Sequence, residues 1–72
     1  MIYVVTHTTR SGRIAFAASN RGLARHTAKA DAQSTVERNQ DRLQNLVLRE
    51  FKNLTEACEW RNEQNAALAR IA

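Results

Sequence analysis

The sequence predicts a small α+β domain, an N-terminal β-hairpin packed on two or three helices. Three features carry that expectation. Ile2 to Thr9 is a run of β-branched and aromatic residues that leads into the turn signal Ser11-Gly12. After Gly22 the remaining fifty residues contain neither glycine nor proline, which favours long helical segments. Between Leu43 and Cys58 the large apolar side chains recur at steps of three and four. The 72 residues make one domain whose core is small, so its margin of stability is small as well.

Residues 2–18 are read as the hairpin. A two-residue loop at Ser11-Gly12 sets Arg10 opposite Arg13, Thr9 opposite Ile14, His7 opposite Phe16 and Val5 opposite Ala18. Tyr3, Val5, Ile14, Phe16 and Ala18 then line the buried face. His7 joins them as a packed, hydrogen-bonded side chain rather than a ligand or base. Arg10 and Arg13 repel mildly across the tip unless an anion sits between them, an arrangement that suits a grip on phosphate or carboxylate. An isolated two-stranded hairpin is unstable in water. It needs the helices, a third strand, or an edge-to-edge partner in a dimer.

Ser19-Asn20-Arg21-Gly22 reads as a turn. Residues 21–40 form a basic segment with helical leanings and few large apolar side chains, only Leu23 and Val36. In a helix, Arg21, Arg25 and Lys29 would make one basic stripe, and Ala24, Ala28 and Ala32 a stripe of small residues. Ser34 and Glu37 have capping-box spacing, so a helix is expected to start or restart there. Order before Ala32 is not required by the pattern, and the segment suits one that orders on a partner.

Residues 41–52 hold the apolar segment, and helix is the first reading through about Arg49. Leu43, Leu46, Val47, Phe51, Leu54 and Cys58 fill one face of a helical wheel. Arg38, Arg42, Asn45, Arg49 and Lys52 fill the opposite face. The rival reading is a third strand at 45–51, which would give a small antiparallel sheet covered by helices, since a short apolar run fits either period. Asn53 followed by Glu56 then resembles a capping box, and the apolar stripe rotates to Leu54, Ala57, Trp60, Leu68 and Ile71. A separate C-terminal helix over 54–71 follows. Glu56, Glu59 and Glu63 in its first half and Arg70 at its end suit the helix dipole.

The net charge of +4 is unevenly placed. Residues 1–30 carry Arg10, Arg13, Arg21, Arg25 and Lys29 and no acid, a balance of +5 against −1 for residues 31–72. An acid-free basic third suits an anionic partner, although a solvated face that keeps a small protein soluble has the same composition. Catalytic signatures are missing. No glycine-rich phosphate loop, zinc-ligand spacing or nucleophile elbow occurs. Cys58 is the only cysteine, and on an apolar helical face a lone thiol is a small core residue before it is a nucleophile. It fits a reducing, cytoplasmic setting. The start of the chain lacks the pattern of a secretory signal, and no run of residues approaches a membrane span.

Enzymatic activity, cofactors, metals and small-molecule substrates are therefore not expected. Two binding functions compete. In the first, the chain occupies the surface of a macromolecular partner, preferably a protein. It would act as a phage-type inhibitor of a host protein or nucleic-acid machine, the genre to which anti-CRISPR proteins belong. In the second, it is a nucleic-acid-binding module. Either way the contact residues are Arg10, Arg13, Arg21, Arg25, Lys29, Arg38, Arg42, Arg49 and Lys52. Thr8, Thr9, Ser11 and Asn20 would add hydrogen bonds to phosphate. No helix-turn-helix or RNA-recognition pattern supports the second function, and Tyr3, Phe16, Phe51 and Trp60 are needed for the core rather than for base stacking. A homodimer through Leu48, Leu68 and Ile71 is compatible with both.

Overall fold

A computed structural model describes residues 1–18, 22 and 24–71, the last without its side chain. The elements are β1 (Ile2–Thr8), β2 (Ile14–Phe16), β3 (Arg25–His26), α1 (Lys29–Asn39), β4 (Gln44–Phe51) and α2 (Leu54–Ile71). The fold is α+β, a small antiparallel sheet of four strands with two helices. β1 is its centre. β2 and β3 share one edge of β1, β2 beside Thr6–Thr8 and β3 beside Tyr3–Val4. β4 takes the whole other edge, from Ile2↔Phe51 to Thr8↔Gln44.

Alternation along β1 assigns the two faces. Val5 and Ala32 are fully buried beside the buried Ala17, and Tyr3, Val36, Leu43, Leu46 and Leu48 pack around them, so this face lies under α1. Val4, also fully buried, points the other way. On that second face lie Phe16, Arg49 and Phe51, which meet Trp60 and Arg61 of α2.

The hairpin is present, but its register differs from the expected one. Thr6 pairs with Phe16, His7 with Ala15 and Thr8 with Ile14. The loop has three residues, Arg10-Ser11-Gly12. Thr9 N–H donates to Arg13 O at 2.8 Å, and Gly12 N–H to Thr9 O at 2.9 Å. Gly12 takes the left-handed position that such a loop needs, with φ +83°. The Thr9 hydroxyl accepts the Arg13 N–H at 3.2 Å and meets the Ser11 hydroxyl at 2.9 Å, which locks this turn. A one-residue slip turns every β2 side chain over. Arg13 therefore faces Thr9 rather than Arg10, and His7 lies beside Ala15 rather than Phe16. Ile14 and Phe16 turn to the α2 face, Ala17 is buried on the α1 face, and Ala18 is exposed.

The favoured helix through Leu43–Arg49 is overturned, and the rival strand is what forms. Val4 and Thr6 are buried, and their backbone groups face the edge opposite β2. A helix at 43–49 would leave those groups without partners; a strand satisfies them. The single helical face consequently divides, Leu46 and Leu48 under α1, Val47, Arg49 and Phe51 on the α2 side.

The 21–40 segment is also corrected. Arg25 sits in a two-residue strand, so the helical stripe Arg21-Arg25-Lys29 and its small-residue counterpart do not form. Arg21, Asn20, Leu23 and most of the expected turn at 19–22 lie outside the described residues. α1 begins at Lys29 and runs through Ser34 without restarting, and the Ser34 hydroxyl bonds back to Ala30 O at 3.1 Å. The C-terminal helix starts as expected. Asn53 Oδ1 accepts the Glu56 N–H at 2.9 Å, and α2 spans Leu54–Ile71.

Candidate functional site

β1 ends, β4 begins and α1 finishes at the same end of the sheet, so the hairpin tip and the α1–β4 connection meet there. An open cleft of about 350 Å³ lies between them, lined by His7, Thr8, Thr9, Arg10, Arg42, Leu43 and Gln44. Arg10 and Arg42 thus face one concavity, although they are distant in sequence. Both are exposed.

A chain of hydrogen bonds positions Arg42. Its guanidinium donates to Asn39 Oδ1 at 2.7 Å, and Asn39 Nδ2 donates to Thr35 O at 2.7 Å. Thr35 Oγ1 in turn meets His26 Nε2 at 3.2 Å. Thr35, Asn39 and His26 are buried, 3%, 7% and 8% exposed, so the row ties the end of α1 to β3 and holds the arginine from within. Asn39 is a neutral partner, which leaves the charge of Arg42 available to an anion. Around the cleft the hydroxyls are already engaged. Thr9 and Ser11 bond each other, and Thr8 Oγ1 accepts a long contact from Asn45 Nδ2 at 3.4 Å. They brace the tip more than they extend its grip.

The remaining expected contact residues do not share this place. Arg13 sits at the tip, opposite Thr9, and Arg38 in the last turn of α1, both exposed and at the same end of the molecule. Arg25, Lys29 and Lys52 lie at the other end, beside Val4, at the start of α1 and after β4. Arg49 does not join the cleft. It is half-buried under α2, its guanidinium 4.4 Å from the centre of the Trp60 ring and donating to Thr6 Oγ1 at 3.2 Å. The helical face of Arg38, Arg42, Arg49 and Lys52 does not exist, because a strand occupies 44–51. Arg21 lies outside the described residues.

Two side chains that sequence reasoning passed over do structural work beside these. Arg61 stacks 4.9 Å from the centre of the Phe16 ring. Asn65 accepts the Ile14 N–H at 2.8 Å and donates to Ile14 O at 3.1 Å. An arginine and an asparagine one turn apart, in line with Leu54, Ala57, Cys58 and Leu68 on an otherwise apolar helical face, were the available signal. Among the described residues no group of three His, Cys, Asp or Glu side chains could hold a metal ion, and no helix is long and apolar enough to cross a membrane. No protein-family model matches the chain, and comparisons with curated proteins and with solved structures return no match.

Proposed function

We infer that the chain is a non-enzymatic binding protein that occupies an acidic patch on a partner protein. Arg10 and Arg42 form the centre of its contact surface, with Arg13 and Arg38 at the margin. The observation that carries this reading is the convergence of Arg10 and Arg42 on one open cleft. Two guanidiniums at a concave surface match carboxylates in paired, planar hydrogen bonds. Nucleic acid is the weaker reading. The cations divide between two ends rather than following a phosphate track, Asp41 adjoins Arg42, and Glu56, Glu59 and Glu63 stand exposed on α2. The four aromatic rings are half-buried and make no stacking platform. A compact binder of this size suits an inhibitor that blocks a host protein or nucleic-acid machine, as small phage inhibitors do, and the single thiol suits the cytoplasm.

Fluorescence anisotropy with labelled polyglutamate, duplex DNA, single-stranded DNA and RNA tests the reading. Polyglutamate is expected to bind the native chain, and Arg10→Glu with Arg42→Glu is expected to weaken it by at least ~10-fold, a loss of about 1.4 kcal/mol. Arg25→Glu with Lys29→Glu, at the far end, is expected to change little. Tight nucleic-acid binding that survives physiological salt with a steep salt slope would put the second reading first.

A further inference from the structure

The two edges of the sheet are treated differently. On one side β2 and β3 are three and two residues long, and Asn65 clamps the outward backbone of Ile14. Short strands and capped backbone groups keep such an edge from pairing. On the other side β4 runs for eight residues and, among the described residues, pairs with β1 alone. β4 contains neither proline nor lysine, and its one irregularity is confined to its start, where Asn45 has φ +53°. Val47, next to that edge, is 40% exposed.

The hydrogen-bond phase shows which groups of β4 are open. Ala17 N–H donates to Val5 O, and Thr9 N–H to Arg13 O, so the odd residues of β1 face β2. The even residues Ile2, Val4 and Thr6 therefore face β4 and bond Phe51, Arg49 and Val47, their partners in register. Leu46, Leu48 and Glu50 must point their N–H and C=O groups outward. That set is symmetric about Leu48.

We propose that β4 pairs antiparallel with β4 of a second copy of this chain, about a two-fold axis at Leu48. Leu48 then bonds its own counterpart, and Leu46 exchanges bonds with Glu50 in both directions. Every outward group of the three residues is used. Centring the axis on Val47 leaves Glu50 without a partner, and centring it on Arg49 leaves Leu46 without one and sets two arginines face to face. With the axis at Leu48 no like charges meet, and exposed Val47 lies against the aliphatic stem of the other Arg49. The two sheets become one continuous sheet with an arginine cleft at each end. The interface expected from sequence used Leu48 through its side chain. In the proposed dimer Leu48 acts through its backbone, while its side chain stays in the core under α1.

Sedimentation equilibrium and amide hydrogen exchange of the full chain test this together. The expected mass is twice the 8.2 kDa of the chain at high concentration. The amides of Leu46, Leu48 and Glu50 should gain at least ~10-fold protection as the concentration rises, while those of Val47, Arg49 and Phe51 stay protected throughout. Val47→Lys, which sets a cation against Arg49 of the other copy, and Glu50→Pro, which removes an outward N–H that β1 does not use, should each give folded monomers. The proposal is overturned if the native chain stays at 8.2 kDa, if a dimer forms with those three amides unprotected, or if both variants remain dimeric. Binding of an extended segment of another protein at this edge, with no self-association, would also overturn it. None of these outcomes bears on the arginine cleft, which lies at the end of the sheet.

Discussion

Asn45 is where β4 slips against β1, between the pairs at Thr6 and Thr8, and its backbone turns left-handed at φ +53°. Asparagine tolerates that conformation better than any other residue with a side chain except aspartate, and β-branched residues tolerate it least. Its side chain adds only a 3.4 Å contact to Thr8. Asn45→Gly is therefore expected to leave stability within about 0.5 kcal/mol of the native chain, and Asn45→Val to cost about 1–2 kcal/mol. Urea denaturation midpoints of the two variants check the order. Equal losses would mean that the side-chain contact, and not the backbone, sets the preference. Residue-scale chemistry of this kind also explains the hairpin. Thr9 and Gly12 were both visible in the sequence, yet whether Gly12 closes a loop of two or three residues depends on a local bond between Thr9 and Arg13 that no periodicity reports.

Between elements, the attachment of α2 to the sheet rests on specific polar contacts as much as on apolar area. Leu54 and Cys58 are half-buried and only Ala57 is fully buried in the first turns of the helix. Further along, Asn65 holds both backbone groups of Ile14, and the Phe16 ring lies under Arg61. Asn65→Leu would keep the branched side-chain shape but strip both bonds from a half-buried strand, at a cost of about 1–3 kcal/mol. Thermal unfolding should show the loss, and amide exchange at Ile14 should accelerate by more than that at Val4. A neutral Asn65→Leu would show that water replaces the clamp without penalty. Packing across elements also decided the apolar segment. From the local pattern alone, helix was the favoured reading of this segment and a strand at 45–51 its rival. The open edge of β1 selected the strand, because buried backbone groups at Val4 and Thr6 require it.

For the whole molecule, the fully buried side chains larger than alanine are Val4 and Val5 alone among the described residues. A core of this size supplies about 3–5 kcal/mol of net stability. Val5 lies at its centre, between Ala17 and Ala32. Val5→Ala is expected to cost about 2 kcal/mol, roughly half of the total, and to lower Tm by about 10 °C. A calorimetric shift under about 3 °C would place the stabilising core elsewhere. So thin a margin also makes pairing through β4 consequential, since association stabilises the folded form in proportion to its strength.

The local signals were sufficient for the N-terminal hairpin, the α+β class, and a C-terminal helix capped by Asn53, because each rests on residues adjacent in sequence. They were also sufficient to place an excess of cations in the first thirty residues. Which cations line the cleft was not legible. Arg10 and Arg42 share the cleft only because β1, α1 and β4 end at one place, while Arg49 stacks half-buried on Trp60 because a strand, not a helix, carries it. Sequence by itself determined the elements that close through neighbouring backbone groups. Tertiary structure decided the identity of β4, the facing of β2 and the membership of the cleft, since each depends on satisfying buried backbone groups supplied by a distant part of the chain.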